Sequence, residues 1–270
     1  GVKKSKPIKR KKMGKKIAEK VLLIGWDAAD WKVINPLMDA GLMPTLEKFV
    51  SQGVMGNLAT LDPPLSPTLW TSISTGKRPY KHGIHGFVEP DPHGNGVRPV
   101  FITSRKVKAI WNILTQHNLK SHVVGWWPGH PAEPINGISV SNFYQKANNP
   151  INEPWPMAEG TVHPKKMSSF FEKLRLHPGE LTDAHVLPFI PNLAKINQQD
   201  DHRVAVLLKI LAETASIHNA GTYIVENEKW DFVGIYFDGI DHFCHAFMKY
   251  HPPKLKGIPD DLFNNYKDII

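Results

Sequence analysis

VLLIGWDAADWKVINPLMDAG, Val21–Gly41, decides the fold. Five apolar residues and a glycine run straight into Asp27, the pattern of a short strand buried on both faces that ends in an acid. The period then changes. ADWKVINPLMDAG spaces its apolar residues for a helix, with Asp30 placed to cap the start and Gly41 to stop the end. MPTLEKFVSQG repeats the form, with Pro44 near a helix start and Gly53 past its end. VMGNLAT, residues 54–60, reads as another strand.

The same alternation continues. SRKVKAIWNILTQHN puts Val107, Ile110, Trp111 and Leu114 on one helical face behind a Ser104 cap. SHVVGWW, Ser121–Trp127, is a second buried strand. DHRVAVLLKILAETASIHNA is a long amphipathic helix. DFVGIYFDGIDH is a third apolar strand, and it too ends in acids. Strands alternating with helices predict an α/β fold: a doubly wound, mostly parallel sheet with helices on both faces. Ligands in such sheets sit at the carboxyl ends of the strands, where Asp27 and the Asp238–His245 cluster fall. Residues 145–200 break the rhythm with seven prolines and short aromatic clusters, and read as a cap inserted over the sheet edge. No internal repeat is visible.

Charge is distributed unevenly. Of 33 Lys and Arg, ten lie in residues 1–20, with one of the 25 Asp and Glu; the remaining 23 and 24 nearly cancel. The net charge of +8 therefore belongs to the first 20 residues. A block this basic is expected to be a disordered, solvated tail, the only part suited to nucleic acid or anionic lipid. Met13 is a candidate natural start, leaving residues 1–12 as an upstream extension. Residues 21–270 form the expected folded domain. No apolar run approaches the roughly 18 residues of a membrane span, and VLLIG is too short for a secretory signal. A lone cysteine, Cys244, excludes an internal disulfide framework and a Cys-based zinc site. These features lean towards the cytoplasm.

LDPPLSPTLWTSISTGKRPYKHGIHG, Leu61–Gly86, carries six Ser or Thr. Ser66 precedes Pro67, an apolar-periodic run follows, and Gly76 closes it. Locally, Ser66 is a helix N-cap. The same geometry admits chemistry, because a helix N-terminus presents free N–H groups and favours phosphate. A hydroxyl placed there attacks phosphorus once a metal lowers its pKa. DHFCH supplies Asp241 and His245 four residues apart, on one helical face, where they can grip one ion or act as a cap and a half-buried imidazole. Asp238 and His242 are second-choice ligands; His242 lies about 100° around the helix from Asp241 and suits a supporting role. Asp and His donors suit Zn²⁺, with Mn²⁺ also accommodated. His82 is expected to fix the Gly-rich turn KHGIHG by hydrogen bonds. One of the adjacent Trp126 and Trp127 should be core and the other face the cleft. Trp127 and Lys77 are the candidate substrate contacts. DDHR, Asp200–Arg203, opens a helix, and its acids read as caps.

Three segments together resemble the alkaline-phosphatase superfamily, in its type I phosphodiesterase/nucleotide pyrophosphatase branch. VLLIGWDAADW is similar to the opening strand with its metal-binding Asp. PPLSPTLWTSISTGKRPYKHGI is similar to the nucleophile segment with its Thr-Gly-x-x-Pro-x-x-His-Gly-Ile tail. YFDGIDHFCHAF is similar to the Asp-x-x-x-His metal pair. The resemblance spans about residues 20–255. It implies a metal-dependent phosphoester hydrolase with two divalent ions, acting on a small phosphoester or phospho-headgroup. Asp27 and Ser66 would serve one metal, Asp241 and His245 the other, and Ser66 would be the nucleophile. Ser replaces the frequent Thr there. Leu69 stands where some members have a phosphate-binding Asn. The family's second Asp-His pair and later His have no counterpart after His245, so the chain is expected to be an N-terminal portion of a longer protein that holds metal weakly. The alternatives are headgroup transfer to an acceptor other than water, and a non-catalytic binding or scaffold module of the same fold. A sulfatase is disfavoured because SPTLW lacks the Arg of a Cys/Ser-x-Pro-x-Arg setting.

Overall fold

The protein is described by a computed structural model covering residues 17–270; most of the basic segment, and Met13, lie outside the described residues. The strands are β1 (Val21–Trp26), β2 (Val88–Pro90), β3 (Val97–Pro99), β4 (Ser121–Val124), β5 (Ser139–Val140), β6 (Val162–His163) and β7 (Phe232–Phe237). The helices are α1 (Trp31–Asp39), α2 (Pro44–Gln52), α3 (Ser66–Thr75), α4 (Pro79–His82), α5 (Ile110–Gln116), α6 (Ser168–Glu172), α7 (Asp183–Val186), α8 (Arg203–Asn227), α9 (Gly239–Phe247) and α10 (Asp260–Tyr266).

The central sheet runs β1-β7-β4-β5-β6, and β2 pairs with β3 in a separate hairpin. β1, β7, β4 and β5 are parallel, while β6 joins the edge antiparallel. The segment 145–200 thus contributes the outermost strand of the sheet through β6. β7 sits between β1 and β4, so its residues are buried on both faces, which is why FVGIYF is apolar throughout. On one face α8 packs Ile217, Ala220 and Ile224 against Val124, Val233 and Ile235. On the other, Trp111 of α5 meets Val123, Trp126, Phe232 and Tyr236. A further cluster joins α7, α8, α9 and α10 through Val186, Leu207, Phe247 and Tyr266. This is the expected doubly wound arrangement with helices on both faces. Among the described residues, no helix is long and apolar enough to cross a membrane.

Asp30 caps α1 by accepting from the Lys32 amide at 2.7 Å, and α2 starts at Pro44 and ends at Gln52 with Gly53 just past it, as the sequence predicts. Three expectations need correction. Residues 54–60 form no strand: Val54 and Leu58 are solvent-exposed, so an apolar run there finds no sheet to join. α5 begins at Ile110 rather than behind Ser104, whose hydroxyl donates to Glu89 Oε1 instead, and the Asn112 side chain accepts from the Ala109 amide at the true start. α3 has Leu65, in extended conformation, as its N-cap; Ser66 is the first helical residue and forms no cap bond.

One glycine sets the depth at which α3 docks. A Cβ on Gly25 would stand 2.5 Å from the Trp70 ring, closer than atoms can approach. The missing side chain lets Trp70 pack edge-on against Trp126 and Tyr236, with ring centroids 5.6 and 4.8 Å away. The Trp126 indole then donates to the Trp70 carbonyl at 3.1 Å. A helix tied to the sheet in this way carries Ser66 at its first turn.

Candidate active site

The carboxyl ends of β1 and β7 lie side by side. Trp26 pairs with Phe237, and the Asp27 amide donates to the Phe237 carbonyl at 3.0 Å, so Asp27 and Asp238 leave the sheet together. α9 starts immediately after and turns Asp241 and His245 to the same side. Asp27, Ser66, Trp127, Asp238, Asp241, His242 and His245 line one cavity of ≈ 400 Å³, with Phe87, Asn142, Lys146 and Tyr236. The residues read from three distant segments therefore meet at one place, on the strand ends where a parallel sheet leaves room for a ligand.

Asp27 is 9% exposed, and its Oδ2 accepts a 2.7 Å hydrogen bond from the Tyr236 hydroxyl. Burial and the Asp27 charge together hold the Tyr236 phenol well above its usual pKa, so it stays a donor. Asp241 Oδ1 is 3.5 Å from His245 Nε2, and His245 stands at the rim with its side chain 80% exposed. Burial raises the Asp241 pKa, and the Asp27 carboxylate raises it further. An acid whose ionisation is opposed by burial and by a neighbouring carboxylate, with an imidazole beside it, is one that a divalent cation would relieve. Carboxylates and imidazoles are donors of the kind a divalent cation takes, and among the described residues the three whose ligand atoms lie close enough for a single ion are Glu213, Asp238 and His242.

The Ser66 hydroxyl forms no hydrogen bond among the described residues, nor does the buried Thr68 hydroxyl, whereas those of Thr71, Ser72, Ser74 and Thr75 do. Thr71 and Thr75 donate to Pro67 and Thr71 carbonyls, and Ser72 to that of Thr68. His82 is fully buried; its Nδ1 accepts from the Ile84 amide at 3.1 Å and its Nε2 meets Ser72 Oγ at 2.9 Å. Burial lowers its pKa to about 4. It fixes the KHGIHG turn against α3 and stays neutral.

Lys77 is elsewhere. It follows the far end of α3, is exposed, and does not line the cavity. A ten-residue helix is about 15 Å long, which separates Lys77 from Ser66. Trp127 lies in the cavity wall beside Phe87, ring centroids 5.4 Å apart, while Trp126 is 2% exposed in the core. Asp201 in DDHR is engaged by Arg203 and accepts from the Tyr266 hydroxyl at 2.5 Å, a structural role.

Two charged residues at the site escaped the sequence reading. Glu213 of α8 is 3% exposed, and Lys146 bridges it to Asp238, with Nζ 2.8 Å from Glu213 Oε2 and 3.5 Å from Asp238 Oδ2. Burial alone would push the Lys146 ammonium towards deprotonation; the two carboxylates override it and raise its pKa. Glu213 had a visible signal, an acid on the apolar face of α8 among Ile210, Ile217 and Ala220. Lys146, in YQKANNP, had none.

Among solved structures, the chain is similar to the crystal structure of phosphonoacetate hydrolase from Sinorhizobium meliloti 1021 in complex with phosphonoacetate. The TM-score is 0.51 at 14% sequence identity, over 88% of this chain and 49% of that one. The chain spans about half the length of that structure, and the likeness concerns the fold. No curated protein matches the chain. The model of the type I phosphodiesterase / nucleotide pyrophosphatase family matches residues 21–264, which include every residue of the cavity. The chain belongs to the type I phosphodiesterase/nucleotide pyrophosphatase family of the alkaline-phosphatase superfamily.

Proposed function

We propose that the chain carries the nucleophile half of a metal-dependent phosphoester hydrolase site, with Ser66 as nucleophile. The observation that supports this best is the Ser66 hydroxyl itself: it heads a helix without capping it, and it shares a cavity with Asp27, Asp241 and His245. Asp27 with Ser66 would hold one divalent ion, and Asp241 with His245 a second, Zn²⁺ being the match to these donors. Such ions supply Lewis acidity towards phosphoryl oxygens and favour the ionised hydroxyl.

The remaining work falls to the chain. Tyr236 fixes the rotamer of Asp27 and leaves its other oxygen for the cavity. In the first turn of α3 Pro67 has no N–H and the Thr68 amide donates to the Leu65 carbonyl, so the Ser66 amide and the positive end of the helix would favour the equatorial oxygens of a phosphoryl group beside Ser66. Ser66 Oγ attacks phosphorus in line; the Oγ–P bond forms as the bond to the leaving oxygen breaks. Water then cleaves the Oγ–P bond and restores the hydroxyl. The substrate is a small phosphoester or phospho-headgroup, and residues 145–200 act as the cap that selects it.

The test uses the full chain with Zn²⁺ and two substrates, p-nitrophenyl phosphate and bis-p-nitrophenyl phosphate. Ser66→Ala and Asp27→Ala should each abolish hydrolysis, and the preferred substrate separates monoesterase from diesterase. Undiminished turnover in both variants would refute the assignment.

A further inference from the structure

A second cluster of charge adjoins the cavity. Glu213, Asp238 and His242 bring ligand atoms within 4.8 Å of one another, a spacing that a metal ion accepts. A cation already occupies that place, because the Lys146 ammonium contacts both carboxylates. The arrangement is costly. Removing two charges from water cancels most of their attraction, so a buried ion pair adds little net stability. Glu213 nevertheless sits on the buried face of α8, and its Oε1 has no hydrogen-bond partner among the described residues. Holding an ammonium at such cost argues that its position is used.

That position is a junction. Lys146 lines the Ser66 cavity and also a second hollow of ≈ 350 Å³, formed with Phe143, Asn148, Trp155 and Arg175. It is the one Lys or Arg on the wall of the Ser66 cavity among the described residues. Its side chain remains 33% exposed, so the two carboxylates do not seal it. An ammonium has three N–H donors, and two anchors leave one to spare.

We propose that Lys146 is a substrate-binding residue: held by Glu213 and Asp238, its ammonium donates to the oxygen that joins phosphorus to the leaving group, which extends into the second hollow. This rests on the phosphoester reading above. As the bond from phosphorus to that oxygen breaks, negative charge develops on the oxygen, and a fixed ammonium stabilises it. The benefit is largest for a leaving alcohol of high pKa, which carries the most charge in need of stabilisation.

The experiment is a leaving-group series. Aryl phosphodiesters from p-nitrophenyl to phenyl are hydrolysed by the Zn²⁺-loaded full chain, wild type, Lys146→Met, Lys146→Arg and Glu213→Gln. Lys146→Met should lose roughly 10- to 100-fold in kcat/KM on the phenyl ester, the scale of one lost hydrogen bond to a charged group, and less on the p-nitrophenyl ester. Lys146→Arg should recover part of the loss, and Glu213→Gln should show a smaller loss with the same trend. Calorimetry adds a reading independent of turnover: at equal metal content, inorganic phosphate should bind Lys146→Met about 10-fold more weakly than wild type. A penalty equal across the series, or unchanged phosphate affinity, overturns the proposal. Should Lys146→Met fail to fold, the slope in Glu213→Gln decides in the same way. Loss of the phosphoester reading itself would show separately, as turnover persisting in Ser66→Ala.

Discussion

The Tyr236 hydroxyl donates to Oδ2 of Asp27 at 2.7 Å, between two residues 209 positions apart in sequence. Parallel pairing of β1 with β7 creates this contact: Gly25 pairs with Tyr236, which sets the Tyr236 side chain beside the acid that ends β1. The bond takes one oxygen of a buried carboxylate and leaves the other to the cavity. Groups that orient a metal-binding carboxylate typically account for about 10- to 100-fold in affinity or activity. Tyr236→Phe should therefore weaken Zn²⁺ binding by roughly that factor, read by competition with a chelating dye. Unaltered affinity would mean that Asp27 needs no orienting partner.

Gly25→Ala tests whether the docking of α3 matters to the site. The added methyl must displace the Trp70 ring, and Trp70 is one turn beyond Ser66 on the same helix. Overpacking of this kind costs about 1–3 kcal/mol, visible as a lower melting temperature. A shift of 1 Å at the reacting group costs up to about 100-fold in rate. The expected signature is a fall in kcat well beyond what the modest stability loss explains. A protein with a lowered melting point and wild-type kcat would show that α3 tolerates the displacement.

His82 makes acid stability dependent on one imidazole. Its pKa is near 4 in the folded protein against the usual 6.5, chiefly because burial penalises the charged ring. The unfolded chain therefore takes up a proton that the folded chain refuses. Stability from this group is complete above about pH 6.5, falls as the pH drops, and levels off below about 4, the whole drop being on the order of 3 kcal/mol. Urea unfolding between pH 7 and 4 should show this extra slope in wild type and not in His82→Gln, although the variant starts less stable for loss of the turn. Parallel slopes in the two proteins would assign the acid sensitivity to other groups.

The parts of this fold that were legible in sequence share a physical cause. β7 is buried on both faces and is apolar without interruption, while β1 keeps the same apolar pattern at the edge of the sheet with Val21, Leu22, Ile24 and Trp26 partly exposed; the acids that follow these two strands, Asp27 and Asp238, mark where they end. α1 and α2 carry their own punctuation in Asp30, Gly41, Pro44 and Gly53. Residues 54–60 misled because an apolar run records only a preference for burial, and no strand lies beside it to satisfy that preference. Ser66 was placed one position early because Ser-Pro reads as cap and first turn, whereas Leu65 takes the extended conformation. Lys146 was illegible for a different reason. Its meaning comes from Glu213, 67 residues away, and from Asp238, 92 residues away, and no local pattern encodes a contact of that range.

The apolar wall of the cavity gives a last prediction. Phe87 and Trp127 tilt at 46° with centroids 5.4 Å apart, and both line the space beside Ser66. Neither carries a group that can take part in proton or phosphoryl transfer, so their contribution is contact with the non-reacting part of a substrate. Trp127→Ala removes the larger ring and leaves the already half-exposed Phe87 without its partner. Loss of one aromatic contact is about 0.5–1.5 kcal/mol beyond the area buried, so KM for an aryl phosphoester should rise by roughly 10-fold while kcat changes little. The same substitution should have a smaller effect on a methyl ester, which offers no ring to stack. Lys77→Ala, beyond the far end of α3, should alter neither constant for either ester. An equal loss on aryl and methyl substrates would assign Trp127 to the architecture of the cavity rather than to the recognition of what enters it.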